Sequence, residues 1–125
     1  MTRGQRAQTT VEFALISIVF LLLLFVVVDG GRMIYTYQTV AESARQGAHA
    51  AEMTDSTDAQ VRTAINSHSA LLGDLGSGAT ISPTPTRTAN QTVSVTVTYT
   101  FQFITPLLRA YGPLTFTSVT TVIAE

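Results

Sequence analysis

Residues 13–28 read FALISIVFLLLLFVVV, and this uncharged stretch decides the architecture of the 125-residue chain. Its only polar side chain is Ser17, and an acid stands at each end, Glu12 before it and Asp29 after it. As a helix it is about 24 Å long, slightly less than the ~30 Å hydrocarbon thickness of a bilayer. Extension back to Thr9 gives the ~20 residues that a spanning helix requires. A soluble helix would show a polar stripe, whereas this one is apolar all round, so a membrane helix over residues 8–29 is predicted.

Basic side chains precede this stretch, and acids predominate after it. Arg3 and Arg6 lie ahead of the span, whereas from Gln8 onward five arginines stand against eight acids. The positive-inside rule then predicts a cytoplasmic leader at residues 1–7 and an exported C-terminal part. The acidic body argues against a nucleic-acid partner. The absence of cysteine excludes disulfides and thiolate metal sites.

A cleaved secretory signal is the alternative interpretation of the N-terminus. The hydrophobic run is longer than the usual ~7–15 residues of such a signal, and residues 26–32 (VVVDGGR) are a poor small-residue cleavage site. A retained anchor in the cytoplasmic membrane is therefore predicted, with the C-terminal part periplasmic or extracellular.

A helical pattern continues past Asp29. Small and apolar residues recur at three- and four-residue spacing, namely Met33, Tyr37, Val40, Ala44, Gly47, Ala48 and Ala51. Gly30 and Gly31 could break the helix or form a joint within it, and the periodicity favours one helix over about residues 10–53. Residues 30–53 are therefore predicted to be an amphipathic continuation, with a small-residue face that lets another element approach closely.

A second helix is predicted over residues 58–72, after a turn at residues 54–57 (TDST). Its expected buried face is Val61, Ala64, Ile65, His68, Leu71 and Leu72. The glycines at positions 73, 76 and 78 end this helix.

The period then changes from 3.6 to 2, which indicates strands. Residues 93–103 alternate without interruption, with an apolar face formed by Val93, Val95, Val97, Tyr99, Phe101 and Phe103. A weaker strand at residues 79–83 is confined to an edge by Pro83 and Pro85, with a turn at residues 86–91. A short turn or helical piece at residues 107–111 precedes a last strand at residues 114–123, where broken alternation near Ser118 predicts a bulge.

Two helices followed by three strands predict an α+β fold, with a small antiparallel three-stranded sheet packed on the helices. Residues 54–125 would form the extracytoplasmic α+β domain. Its apolar sheet face should pack on the Ala-rich half of the long helix.

The sequence carries no pattern of catalytic chemistry. His49 and His68 are the only histidines, and neither has a second ligand at metal spacing. No HExxH, nucleophile elbow or glycine-rich phosphate loop occurs. We therefore expect no enzyme activity, no cofactor, no metal and no small-molecule substrate.

Glu12 is unusual because a carboxylate at the mouth of a spanning helix is costly unless it is paired or reaches the interface. It is either a boundary residue that faces lipid headgroups or the partner of a cation at the same depth. A free N-terminal amine nearby would supply such a cation.

Several of these features together resemble the TadE-like family, pilin-like minor proteins of the tight-adherence (Flp) pilus that are related to type IV pilins. The features are residues 8–15 (QTTVEFAL), the hydrophobic run, residues 29–32 (DGGR), Tyr35 and residues 44–48 (ARQGA). The likeness covers about residues 4–51. It implies a pilin-like fold, a structural role, and three kinds of partner: other pilin-like subunits, the pilus assembly machinery and a prepilin peptidase.

The resemblance also implies a processing site. The family's peptidase cuts on the cytoplasmic side, usually after Gly, and leaves Glu at the fifth mature position. In this chain that register puts the cut between Ala7 and Gln8, so Ala7 replaces the usual Gly. Gly4-Gln5 also resembles the site but would leave Glu12 eighth. A further departure follows Asp29, where the family commonly has an aromatic residue and this chain has glycine.

Two functions remain open from the sequence. In one, a single-pass, pilin-like protein packs its N-terminal helix into a pilus or a pilus-assembly complex. In the other, the same anchor holds a surface-binding module whose sheet recognises a ligand and does not assemble. Processing after Ala7 would separate them, because a plain anchor does not need it.

Overall fold

The computed structural model describes residues 3–84 and 87–125. Its elements are α1 (Arg3–Ala51), α2 (Asp58–Ser67), β1 (Thr80–Ser82), β2 (Thr92–Phe101), α3 (Pro106–Arg109) and β3 (Leu114–Ile123). The strands form one antiparallel sheet in the order β1-β2-β3. The predicted α+β class, with a long first helix, a short second helix and a three-stranded sheet, is confirmed. The start of the predicted leader (Met1, Thr2 and the Arg3 side chain), Pro85 of the predicted edge and Thr86 of the predicted turn lie outside the described residues.

Helix α1 is a single element of 49 residues, about 70 Å long. It passes through Gly30 and Gly31 without a break, as the periodicity predicted, although it begins earlier than expected and ends at Ala51. A Cβ atom at either glycine would meet nothing within 4 Å. The two glycines therefore weaken the helix only through backbone entropy.

The core of the domain lies between the C-terminal half of α1, helix α2 and the sheet. It is formed by small residues of α1 and branched residues of the other elements, among them Val40, Ala44, Ala48, Ala51, Val61, Ile65, Val93, Val95 and Val97. The approach is closest at Gly47, where an added Cβ would lie 2.6 Å from Ile65 Cγ1. The small-residue face thus receives α2 and the sheet, as its composition predicted.

Tyr37 was predicted on this small-residue face and is instead exposed. Its ring meets that of Phe116 edge-on, with centroids 6.1 Å apart. Thr36, Thr39 and Ser43 are buried in its place. The buried stripe therefore runs beside Tyr37.

Strand β2 has the predicted alternation. Val93, Val95, Val97 and Phe101 point to the core and are buried, and Tyr99 is half-buried. Phe103 lies beyond the end of the strand, where its ring meets Phe101 at a centroid distance of 5.4 Å. Strand β1 pairs with β2 through Ile81 and Val95, at the edge where the prolines placed it.

Helix α2 is shorter than predicted, because side chains compete for the backbone after Ser67. The Asn66 amide accepts a hydrogen bond from the Gly76 N–H at 2.7 Å and donates one to Asp74 at 2.7 Å. Ser69 Oγ donates to the Gly73 carbonyl at 2.9 Å. These bonds favour a compact loop over further helix. The expected face is therefore wrong at His68 and Leu71, which are exposed, and right at Val61 and Ile65.

The predicted bulge in β3 is also wrong. The register with β2 is unbroken from Phe101–Leu114 to Thr92–Ile123. The inward residues, which include Ser118, are only half-buried, while Val119 and Ile123 face outward and are exposed. The broken alternation therefore marks a partly covered edge strand and involves no inserted residue.

The sheet runs along α1 and fixes which end of the domain is near the hydrophobic half. At one end the Glu125 N–H donates to the Glu52 carbonyl at 2.8 Å. At the other end the Arg32 guanidinium lies over the Phe101 ring, 5.1 Å from its centroid. The helix rises ~30 Å over the 20 residues between these points, and β2 spans a similar length. The C-terminal end of β2 is therefore directed towards the apolar half of α1.

Candidate functional site

The N-terminal half of α1 presents an apolar surface that no other described element covers. Within the described residues it holds the one helical segment that is long and apolar enough to cross a membrane. None of its most hydrophobic 18-residue window is buried. Exposure of the large side chains from residue 11 to residue 28 reaches 73% at Val27. Such a surface is stable in lipid or against neighbouring helices, and unfavourable in water.

Glu12 is the single acid on this surface, and it is exposed. Across residues 3–84 and 87–125, no ion pair or hydrogen bond engages its side chain. A shallow open groove is lined by Ala7, Gln8, Val11, Glu12 and Leu15. Gln8 and Glu12 are four residues apart and so lie on the same face of the helix. The structure thus brings the sequence-predicted residues together, with the carboxylate available to a cation.

Both bonds considered for processing, Ala7–Gln8 and Gly4–Gln5, lie within α1. Two threonine side chains bond to backbone carbonyls in this first part of the helix: Thr9 Oγ1 donates to the Gln5 carbonyl and Thr10 Oγ1 to the Arg6 carbonyl, each at 2.9 Å. A peptidase that binds an extended backbone would have to unwind these turns. Helix ends fray readily, which makes such unwinding least costly here.

A second cluster, which we call the Asp29 clasp, comprises Asp29, Arg32, Ile104 and Thr105. Asp29 is buried at the end of the hydrophobic run. Its carboxylate accepts hydrogen bonds from the backbone N–H of Ile104 at 3.1 Å and of Thr105 at 2.7 Å. The Arg32 guanidinium donates to the same carboxylate at 3.1 Å. The clasp therefore attaches the segment after β2 to the point at which α1 leaves its apolar half.

The sequence reasoning assigned Asp29 only as the boundary of the span. Its partners are 75 and 76 residues away along the chain, so no local pattern identifies them. The one available signal was the Asp29–Arg32 spacing, since i,i+3 side chains on a helix are neighbours. That spacing indicates an ion pair and says nothing of the two backbone amides.

Arg87 is a further group that the sequence reasoning missed. Its side chain is fully buried and lies 2.5 Å from Asp58, and it also donates to the backbone carbonyl and hydroxyl of Ser56. Asp58 begins α2, and a carboxylate at the N-terminus of a helix also interacts favourably with the helix dipole. A buried guanidinium with this many acceptors ties the loop before β2 to the turn after α1, which is a structural role.

Several other titratable side chains that the structure describes make local contacts. His49 Nδ1 pairs with Glu52 at 2.8 Å, and His68 Nδ1 with Ser67 Oγ at 2.8 Å. Hydrogen bonds from the Asn66 side chain and the Ser77 backbone hold the pKa of Asp74 below its usual value. In the part of the chain that the structure describes, no three His, Cys, Asp or Glu residues are grouped as a metal ion would need.

The comparison with known families bears on the uncovered half of α1. A family model described as "TadE-like protein" matches residues 7–49. This segment is therefore similar to the TadE-like family. The match covers about a third of the chain, begins at Ala7, includes Glu12 and Asp29, and ends before α2. It confirms the resemblance and relates the segment to proteins of the tight-adherence pilus. Neither the curated proteins nor the solved structures show a significant match.

Proposed function

We propose that the protein is a pilin-like structural component of a tight-adherence pilus or of its assembly complex. The N-terminal half of α1 holds it in the cytoplasmic membrane and supplies its contacts with other subunits. The observation that carries this proposal is the uncovered apolar helix with one unpartnered acid, Glu12, inside the TadE-like match. The function requires no turnover, cofactor or small-molecule substrate.

Glu12 is proposed to direct the packing. Cleavage by a prepilin peptidase after Ala7 would free the amine of Gln8. Glu12 of one subunit would neutralise this amine on a neighbour or on its own helix, where residues 8 and 12 share a face. At ~4 Å and an effective dielectric of ~20 the pair attracts by roughly 4 kcal/mol before desolvation is subtracted. Removal of one charge leaves the other unpaired in an apolar setting, which is worse than the absence of both.

Glu12→Gln tests this role. The variant should still be inserted in the membrane and cut, because a neutral amide lowers the cost of insertion. It should be lost from complexes with partner pilins recovered by mild detergent extraction. Glu42→Gln is the matched control: it neutralises an acid on the packed half of α1 and should be recovered normally. Normal recovery of Glu12→Gln would leave Glu12 as a boundary residue.

The proposed orientation places the N-terminus in the cytoplasm and the domain outside it. Support comes from Arg3 and Arg6 ahead of the span and from the acidic body. A reporter that is active only outside the cytoplasm, fused after Glu125, should show activity. Activity of a cytoplasmic reporter at the same position would contradict the assignment.

N-terminal sequencing of the native protein separates the two candidate functions. A mature chain that begins at Gln8 and occurs in sheared pili or with partner pilins supports the pilin-like function. An uncut chain that stays monomeric in the membrane favours an anchored binding module.

A further inference from the structure

The connection of residues 102–113 between β2 and β3 is longer than the sheet requires. Antiparallel neighbours can be joined by about two to five residues, and this connection has twelve. It contains the short helix α3 and exposes large apolar side chains: Ile104 is 55% exposed, Leu107 62% and Tyr111 84%. The extra length thus adds little to the core of the domain.

The position of this connection is fixed by the Asp29 clasp. The amides of Ile104 and Thr105 bind the carboxylate that directly follows the hydrophobic run. Since β2 runs along α1 towards the apolar half, the residues after Phe101 continue beyond the end of the sheet in that direction. The exposed side chains are therefore held at the level where α1 would leave the hydrocarbon.

The composition of the connection suits the headgroup region of a bilayer. Aromatic and aliphatic side chains are favoured at the boundary between headgroups and acyl chains, and tyrosine is enriched there. Arg109 is exposed, and no ion pair of its side chain occurs in the described part of the chain. The connection contains no carboxylate that would repel lipid phosphates. Arginine binds phosphate through charge-assisted hydrogen bonds.

We propose that the 102–113 connection rests on the leaflet from which α1 emerges. Leu107 and Tyr111 would enter the boundary between headgroups and acyl chains, and Arg109 would lie near lipid phosphate. The proposal rests on the membrane anchoring under the proposed function and is independent of processing or pilus assembly. The connection lies directly beside the end of the proposed membrane span, which favours lipid over a second copy of the chain as its binding partner.

The chain contains no tryptophan, so single substitutions can report local environments. Tyr111→Trp places the probe in the connection. Leu71→Trp is the matched control, because Leu71 is 79% exposed and lies in the loop after α2. Phe20→Trp reports on the span itself. Each full-length variant is reconstituted in vesicles of phosphatidylethanolamine and phosphatidylglycerol that contain lipids brominated near the headgroup or near the bilayer centre.

The expected result is a blue-shifted emission at position 111 that headgroup-proximal bromine quenches, with water-like, unquenched emission at position 71. Loss of the quenching at position 111 when Leu107 is also changed to Ser would support insertion by both side chains. Water-like emission at position 111 together with quenching at position 20 would overturn this proposal alone. The absence of quenching at position 20 would overturn the anchoring and the proposal with it. A blue shift at position 111 that depends on protein concentration, without quenching by lipid, would assign the surface to a second copy and overturn the lipid assignment.

Discussion

The two halves of helix α1 differ in what covers their apolar side chains. From residue 11 to residue 28 the helix carries large side chains on every side and no other described element covers them. From Asp29 to Ala51 one face of small residues is buried under α2 and the sheet. The helix is continuous across both halves. Side-chain size therefore distinguishes the half of α1 that no other described element covers from the half that packs on the protein's own sheet.

The largest effect on the packed half of α1 is expected from a substitution at the centre of the sheet that covers it. Val97 is buried on β2, whereas the neighbouring Thr98 faces outward. Val97→Asp should destabilise the domain by more than ~4 kcal/mol, because it places an unpaired charge in a small core. Circular dichroism in detergent should show lost strand signal while helical signal from the N-terminal half persists. Thr98→Asp should leave the domain folded; equal behaviour of the two variants would mean that the register is wrong.

A smaller effect is expected at the border between the halves. Asp29→Ala removes the acceptor of the Ile104 and Thr105 amides and leaves these amides without their partner. The free energy of unfolding should fall by about 1–3 kcal/mol, the cost of one unsatisfied buried group at Thr105, because water can reach the partly exposed amide of Ile104. Chemical denaturation in detergent measures this change. Asp55→Ala, at an exposed acid, should change stability by less than ~0.5 kcal/mol. If Asp29→Ala and Asp55→Ala change the free energy of unfolding equally, the clasp contributes nothing to stability.

The smallest effect compares glycines within the one helix. An added Cβ at Gly47 would lie 2.6 Å from Ile65 Cγ1 and 3.2 Å from Val95 Cγ1, whereas at Gly31 it would meet nothing within 4 Å. Gly31→Ala should raise the thermal midpoint, through up to ~1 kcal/mol of helix propensity. Gly47→Ala should lower it, because overpacking costs ~1–3 kcal/mol and outweighs the same gain. A change of the same sign at both positions would show that the packed face tolerates more volume than the structure indicates.

Periodicity predicted the parts of the fold that depend on a single element. The continuity of α1 through Gly30 and Gly31 and the buried face of β2 follow from spacing alone. The predicted bounds of β3 also agree with the structure, although its alternation is irregular. The errors occur where contacts with neighbouring segments determine where an element ends or how its side chains are buried. Helix α2 ends early because Asn66 and Ser69 bind the following loop, and β3 breaks its alternation because it is a half-covered edge.

The candidate site was predictable to a similar degree. Glu12 was found as a carboxylate at the mouth of the apolar run, whereas Ala7 and Gln8 were implied by the resemblance to the TadE-like family. The structure places all three in one groove. Their roles stay predictions, since processing and charge pairing require a second molecule. The Asp29 clasp and the buried Arg87 were missed because each joins segments that are far apart in the chain.

Attachment of the domain to α1 at both ends has a mechanical consequence. The Asp29 carboxylate holds one end of the sheet through Thr105, and the Glu52 carbonyl holds the other through the Glu125 amide. A pull along the helix axis loads these bonds and the packed face between them in shear, so that they share the force. If the force were instead applied to one bond at a time, the contacts would break one after another. A chain fastened in this way transmits axial tension from the N-terminal half of α1 to the α+β domain without first being peeled apart.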